Sequence, residues 1–342
     1  VVQRKSNVSS VPFSLSVACR IIEPLEYLAT KNPNIHWQIC VEDRFSEIES
    51  SGAQIVWFNK HLTDMAVEFA KRCKEKSLRV IYDVDDWVLG FPSYSGAKIS
   101  SQNVQNFMYF MKNADVVTVA NEQILHEIRP YRDDVHLVTN GFYVEKYWQD
   151  QNLPLVKEES SKVVFTNADF IKMKNFKKDF LNVLDDFFAS HIGWSLDYYG
   201  NLPGELEGKK YIHCKGYFPY DEHKRRLLEG GYAFSITPLG GLEDIEGFSF
   251  NCCKNPFKYL DYGGIGIPGI YSSVPIYENC ISPDRTGILV HNDYQSWVDA
   301  MNRLACDAEF RGKIRRNAFE DIRTKRHIRF SAQAMKKVID KF

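Results

Sequence analysis

The chain has 342 residues, 44% hydrophobic and 25% charged, with a formal net charge of −1. That composition describes globular domains with apolar material for two cores, and it excludes both a global basic field for nucleic acid and an acidic solvating tail. Its eight cysteines follow neither metal-ligand spacing nor a regular framework, and the adjacent Cys252 and Cys253 are poorly placed to bridge each other, so a reducing, cytoplasmic compartment is expected.

The opening VVQRKSNVSSVPFS lacks the apolar core of a signal peptide, and no uncharged apolar run is long enough to span a bilayer. Because the chain begins at Val1, a place within a larger multidomain protein is expected. Arg20, in ACRIIEPL, opens a first predicted helix. AQIVWFN then reads as a strand, Leu62, Met65, Ala66, Phe69 and Cys73 recur at helical spacing, and LRVIYDV gives the next strand. ADVVTVA, a helix from about residue 121 to 129, and DVHLVTNG form another such unit. Periodicity is then lost in FYVEKYWQDQNLPLVKEESS, which predicts an N-terminal domain over 1–155 and a C-terminal domain over 156–342, with the last helix able to pack back on the first. KVVFTN, SLDYYG, YIHCKG, YAFSITP, GIPGIYS and GILV are the strands expected in the second half, each ending near Gly, Pro or Asn. Strands alternating with helices predict an α/β protein with parallel sheets whose ligands sit beyond the carboxyl strand ends.

In the first half the sharpest local feature is YDVDDW. Asp83, Asp85 and Asp86 crowd the end of a strand, which is costly unless something positive or hydroxylated meets them. An Asp-x-Asp metal motif is one reading. A turn of hydrogen-bonded aspartates is the plain alternative. Lys60 and His61 end the preceding strand; Lys60 could neutralise phosphate or pair with the aspartates, and Arg20 is a weaker candidate for the same place.

In the second half NPFKYLDYGGIGIPGIYSS places a helix, with Asn255 near its start, ahead of Gly263, Gly264 and an apolar strand. First-turn amides and Lys258 suit a phosphate, while Asp261 one turn later suits a vicinal diol. Phosphate beside diol describes a nucleotide, and a surface ion pair on a helix stopped by glycines is the competing reading.

This stretch, followed by GILV, an aromatic-rich helix and RGKIRRNAFEDI, resembles the C-terminal half of the glycogen-synthase-like retaining glycosyltransferases of the GT-B fold (glycosyltransferase family 4). LVTNGFYVEKYW, VVFTNADFIKMKNF and CKGYFPYDEHKRRLLEGGYAFSITPLGG extend the resemblance upstream, strongly after Val163 and weakly before Gln54. The resemblance implies two Rossmann-like domains facing across a cleft, and transfer of a sugar from a nucleotide-sugar donor to a glycan or lipid-linked glycan, with retention, and with surface polysaccharide as the expected product. Because a GT-B-like second half supplies a cationic diphosphate site, an acceptor-side role is preferred for the first-half carboxylates, with Asp85 or Asp86 orienting a sugar hydroxyl. The nucleotide sugar would be a co-substrate, with no resident cofactor or metal and no nucleic-acid partner. Asp261 stands where the family has a ribose-binding Glu, and Lys172 or Lys174 near its diphosphate lysine. Tyr217 and Phe218 stand where the base is contacted, and Gly240 and Gly241 lie in the loop that offers amides to the diphosphate. The family's sugar-contacting glutamate, eight residues before the ribose glutamate, falls on Cys253. Glu246, in EGFSF, resembles that glutamate's context and lies farther upstream, a spacing that needs an insertion. Glu243, Asp244 and Glu246 also read as a solvated acidic turn.

The basic run from Arg311 to Arg329 invites peripheral contact with the inner face of a membrane. Its acidic residues and periodic apolar positions favour a solvated helix face. A sugar-nucleotide epimerase on the same plan, and a non-catalytic carbohydrate-binding or scaffolding domain, are the rival functions.

Overall fold

Among the described residues, short runs rich in β-branched and aromatic residues, most of them closed by a polar residue or glycine, pair in parallel into two six-stranded sheets. The computed structural model describes residues 1–3, 15–148, 160–167 and 173–342. Two compact units result. The first gathers Val1–Tyr143, Cys253–Asn255 and His327–Phe342, and the second Val144–Cys252 and Pro256–Arg326. The chain therefore passes between units at 143/144, 252/253, 255/256 and 326/327, where a single cut at 155/156 passes once.

In the first unit β1 (Val2–Gln3), β2 (Cys40–Val41), β3 (Ile55–Asn59), β4 (Arg79–Val84), β5 (Val116–Val119) and β6 (Val135–Leu137) lie in the order β2-β1-β3-β4-β5-β6. The helix Asp64–Glu75 starts where the Thr63 hydroxyl accepts from the Ala66 amide, and it packs Ala66, Phe69, Ala70 and Cys73 on the core. Met65, assigned to that face by spacing, points outward and is 50% exposed. The C-terminal helix Ile328–Ile339 buries Ala332, Met335 and Val338 with Ile21, Leu25 and Leu28 of the first helical run. That apolar face is why the last residues count with the first unit.

In the second unit β7 (Lys162–Thr166), β8 (Ser195–Tyr199), β9 (Ile212–Gly216), β10 (Phe234–Thr237), β11 (Gly269–Ser272) and β12 (Ile288–Val290) take the order β12-β11-β10-β7-β8-β9. The chain winds outward from β7 to β9, then returns to the other side of β7 and winds from β10 to β12. The direction reverses between β7 and β10, the place in such sheets where ligands gather beyond the strand ends. Lys174 follows β7, and Gly240 and Gly241 follow β10, so the sequence's donor candidates flank this reversal.

Trp297, fully buried on the helix Tyr294–Cys306, packs against Phe176 and Phe180, the latter edge-on at 5.0 Å. Truncating it leaves a cavity that this aromatic cluster cannot close. Trp297→Ala should therefore cost about 3–5 kcal/mol, read as a shift in the urea unfolding midpoint; a change within 1 kcal/mol would show that the helix is not anchored there.

Candidate functional site

Asn59, Asp83 and Thr118 stand in register on β3, β4 and β5, all three buried. The Thr118 hydroxyl donates to Asp83 Oδ1 at 2.6 Å, and Asn59 Nδ2 donates to Asp83 Oδ2 at 2.9 Å and Asp85 Oδ1 at 3.0 Å. Arg20 closes the row from the first helical run. Its Nη2 donates to Asp83 Oδ1 at 2.8 Å and its Nε to Oδ2 at 3.1 Å, while Nη1 donates to the carbonyl of Val138. Both partners are essentially unexposed, so Arg20 belongs to the buried framework of this strand end.

The other two aspartates are met by lysines. Lys60 Nζ lies 3.0 Å from Asp85 Oδ1 and 2.7 Å from Asp86 Oδ2, and Lys254 Nζ lies 2.9 Å from Asp86 Oδ1. Lys60 reaches both from a left-handed backbone, φ 42°, with its amide donating to the Asp83 carbonyl at 2.7 Å. Burial alone would raise the Asp86 pKa; Lys60 and Lys254 outweigh it and hold the carboxyl below its usual range. Burial alone would lower Lys60, and Asp85 and Asp86 outweigh it and raise the ammonium's pKa.

Lys254 comes from the three-residue segment that joins this unit. Asn121 Nδ2 donates to the Lys254 carbonyl at 3.1 Å, Asn140 Nδ2 donates to Asn255 Oδ1 at 2.7 Å, and Asn255 Nδ2 donates to the Asp85 carbonyl. Asn255, expected at the start of the donor helix, is thus a brace of the aspartate turn. Cys253, the residue eight before Asp261, is fully buried in the first unit's core, so it holds no sugar contact. His61 is a core residue, 1% exposed and edge-on to Phe58 at 5.5 Å. Among the described residues no three His, Cys, Asp or Glu side chains gather as metal ligands.

In the second unit Lys172 lies outside the described residues. Lys174 Nζ stands 4.0 Å from Glu246 Oε2, both partly exposed, with Glu246 in the first turn of the helix Ile245–Cys252. The structure thereby brings together two candidates separated by 72 positions. The Gly241 amide donates to Glu243 Oε1 at 2.8 Å, and Asn292 Nδ2 donates to the same oxygen. Ser272 Oγ donates to Asn292 Oδ1 at 2.6 Å and accepts from the Leu239 amide at 2.8 Å. The loop after β10 therefore takes a carboxylate on the amide that was expected to meet a diphosphate. Gly240 instead offers its carbonyl to Asn251 Nδ2 at 3.0 Å. Ser272 and Asn292, absent from the sequence reading, link the ends of β10, β11 and β12.

The helix that carries Lys258 and Asp261 runs Phe257–Ile265. It ends at Gly266, whose φ of 84° permits the left-handed turn into β11. Gly263 and Gly264, expected to stop it, lie inside its last turns; a Cβ on Gly263 would sit 3.0 Å from Ile322 Cγ1, so close packing keeps that position small. Asp261 Oδ1 pairs at 3.2 Å with Lys224 Nζ of the helix Tyr220–Glu229, a partner the local spacing could not reveal. Tyr217 is 52% exposed after Gly216, and Phe218 carries the Arg226 guanidinium 3.9 Å above its ring. Within the basic run, Arg315 donates to the Gly266 carbonyl and Arg326 pairs with Asp321 at 3.1 Å, as on an ordinary packed helix. Among the described residues no helix is long and apolar enough to cross a membrane.

No family model and no curated protein matches this chain. Solved structures do. Anabaena Alr3699/HepE in complex with UDP and glucose superposes with a TM-score of 0.66 over 100% of this chain and 99% of its own, at 11% identity. Sucrose-phosphate synthase from Thermosynechococcus elongatus gives 0.60 over 88% and 76%, at 14% identity. The apo lipopolysaccharide outer core galactosyltransferase WaaB gives 0.58 over 100% and 99%, at 13%. At these identities the likeness shows the fold, which is GT-B.

Two outcomes follow from the charge arrangement. Arg20→Met, which strands Asp83 in the core, should cost about 3–5 kcal/mol in urea unfolding. Because the folded pKa of Asp86 is depressed, its stabilisation is complete above the unfolded value of about 3.9 and is lost as pH falls below it. Asp86→Asn should flatten the acid limb of the stability profile; an unchanged limb would place the acid sensitivity elsewhere.

Proposed function

We propose that this protein is a glycosyltransferase that moves a sugar from a nucleotide-sugar donor to a hydroxyl of a glycan or lipid-linked glycan, with retention, in building surface polysaccharide. The observation that carries the reading is the pairing of Lys174 with Glu246 at 4.0 Å, beside a Gly241 amide that already binds a carboxylate, at the winding reversal of the second sheet. A cation, an acid and an anion-binding amide gathered there suit a sugar attached to a diphosphate. The GT-B likeness supports the same reading, since the HepE structure it includes is one with UDP and glucose.

In this reading the second unit holds the donor. Departure of the nucleoside diphosphate builds negative charge, which Lys174, Lys258 and the first amides of Phe257–Ile265 stabilise, each contact contributing about 2–4 kcal/mol in the transition state. Glu246 receives hydroxyls of the sugar and Asp261 those of the ribose, with Tyr217 beside the base. The Glu243 carboxylate leaves the Gly241 amide when the diphosphate arrives. The first unit serves the acceptor through Asp86, the more exposed of the two aspartates at 22% against 1% for Asp85, with Lys60 and Lys254 fixing its oxygens. All eight cysteines are free thiols, the state that a reducing cytoplasm maintains.

Lys258→Ala should weaken nucleoside diphosphate more than nucleoside, and Asp261→Asn should weaken both, by about one to two decades for a lost charge-assisted hydrogen bond. Calorimetric titration reads both; parent-like binding of both ligands by both variants would remove the donor assignment. Chelator should leave transfer intact, because lysines and amides supply the positive charge. Loss with EDTA, restored by manganese, would recast Asp83, Asp85 and Asp86 as a metal site.

A further inference from the structure

Lys224 is a fully buried ammonium to which neither the sheet ends nor the expected donor contacts assign a role. A buried charge needs compensation, and here it comes from three directions. Asp261 Oδ1 lies at 3.2 Å, the Tyr220 ring centroid at 4.0 Å and the Tyr147 ring centroid at 5.3 Å. Tyr147 is itself held, since its hydroxyl donates to Asp221 Oδ1 at 3.2 Å, an oxygen that Lys146 meets at 2.9 Å. The ammonium is therefore fixed by groups of its own unit, while the Asp261 side chain keeps 13% of its surface exposed.

We propose that Lys224 is a positioning residue of the donor site: it touches neither sugar nor phosphate, and it holds the Asp261 carboxylate ionised and oriented to accept the ribose hydroxyls. This rests on the donor-binding reading of the second unit. Burial raises the Asp261 pKa, and Lys224, with Lys258, opposes that rise. Loss of Lys224 lets burial prevail, so the carboxyl takes up a proton at a higher pH than in the parent. The other groups facing the pair stay fixed near neutrality. His223 is pushed down to about 4, by burial first and then by the two lysines, so burial and Lys258 still hold it down when Lys224 is replaced, and burial raises the Tyr262 phenol. Asp221 is occupied by Lys146.

The test is calorimetry of parent, Lys224→Met, Asp261→Asn and the double variant Lys224→Met/Asp261→Asn with whichever of UDP, GDP or ADP the parent binds, and with inorganic pyrophosphate, at about pH 6 and about pH 8. Ratios to the parent cancel the ligand's own titration. Lys224→Met should weaken the nucleoside diphosphate about tenfold or more at the lower pH, the loss expected for a charge-assisted hydrogen bond, because a protonated carboxyl no longer accepts from both ribose hydroxyls. The gap should narrow at the higher pH, where Asp261 is deprotonated again. Pyrophosphate binding should match the parent, and the double variant should show no pH dependence of its ratio to Asp261→Asn. Lys224→Arg should restore the parent's pH profile, and Lys224→Gln, which keeps a donor without the charge, replaces the Met variant if that one does not fold. A parent-like Lys224→Met, a loss equal at both pH values, or an equal loss of pyrophosphate binding would overturn the proposal and leave the donor site standing. A parent that binds neither nucleoside diphosphates nor pyrophosphate would sink the donor reading itself, and this proposal with it.

Discussion

Three carboxylates within four residues at the end of a buried strand cannot be packed unless cations meet them, and the first unit is organised around that requirement. Arg20, Lys60 and Lys254 come from three distant parts of the chain to face Asp83, Asp85 and Asp86. Each cation costs something elsewhere in the structure. Arg20 is buried in a helical run, Lys60 adopts a left-handed backbone, and Lys254 draws a three-residue segment out of the second unit's sequence into the first. The in-register side chains of Asn59 and Thr118 supply the remaining hydrogen bonds, so the row is polar and internally satisfied except at Asp85 Oδ2, which has no partner among the described residues.

A parallel sheet concentrates such groups at one end. Its strands all finish on the same side, its side chains are in register, and the helices that follow present their amides there. In the second unit the same geometry collects the ends of β10, β11 and β12 through Leu239, Ser272 and Asn292, and leaves Glu243 on the Gly241 amide. A neutral, hydrogen-bonded strand end in one unit and an anion-accepting one in the other fit the proposed division between a hydroxyl acceptor and a diphosphate donor.

Much of the fold was legible in the sequence because parallel strands buried on both faces read as apolar runs closed by a polar or small residue. AQIVWFN, LRVIYDV, KVVFTN, SLDYYG and YAFSITP each contain an observed strand. Less legible were β1 and β2, whose two residues apiece offer no periodicity. At the site, the residue types of Lys174, Glu246 and Asp261 were visible as chemistry. The contacts of Lys224, Arg20 and Lys254 were not, since a lysine or arginine within a charged run reads as solvated surface.

The sequence by itself determined the α/β class, most strands, the aspartate crowding and the placing of Lys258 and Asp261 on one helix, because these depend on residue type and short spacing. Only the tertiary structure decided which cation meets which carboxylate, that Gly266 and not Gly263 or Gly264 ends the helix Phe257–Ile265, and that Cys253 is core while Glu246 reaches Lys174. Those outcomes depend on contacts between residues up to 168 positions apart, as for Lys254 and Asp86. Local propensity carries no information about such contacts, because the partners become neighbours only once each sheet has formed.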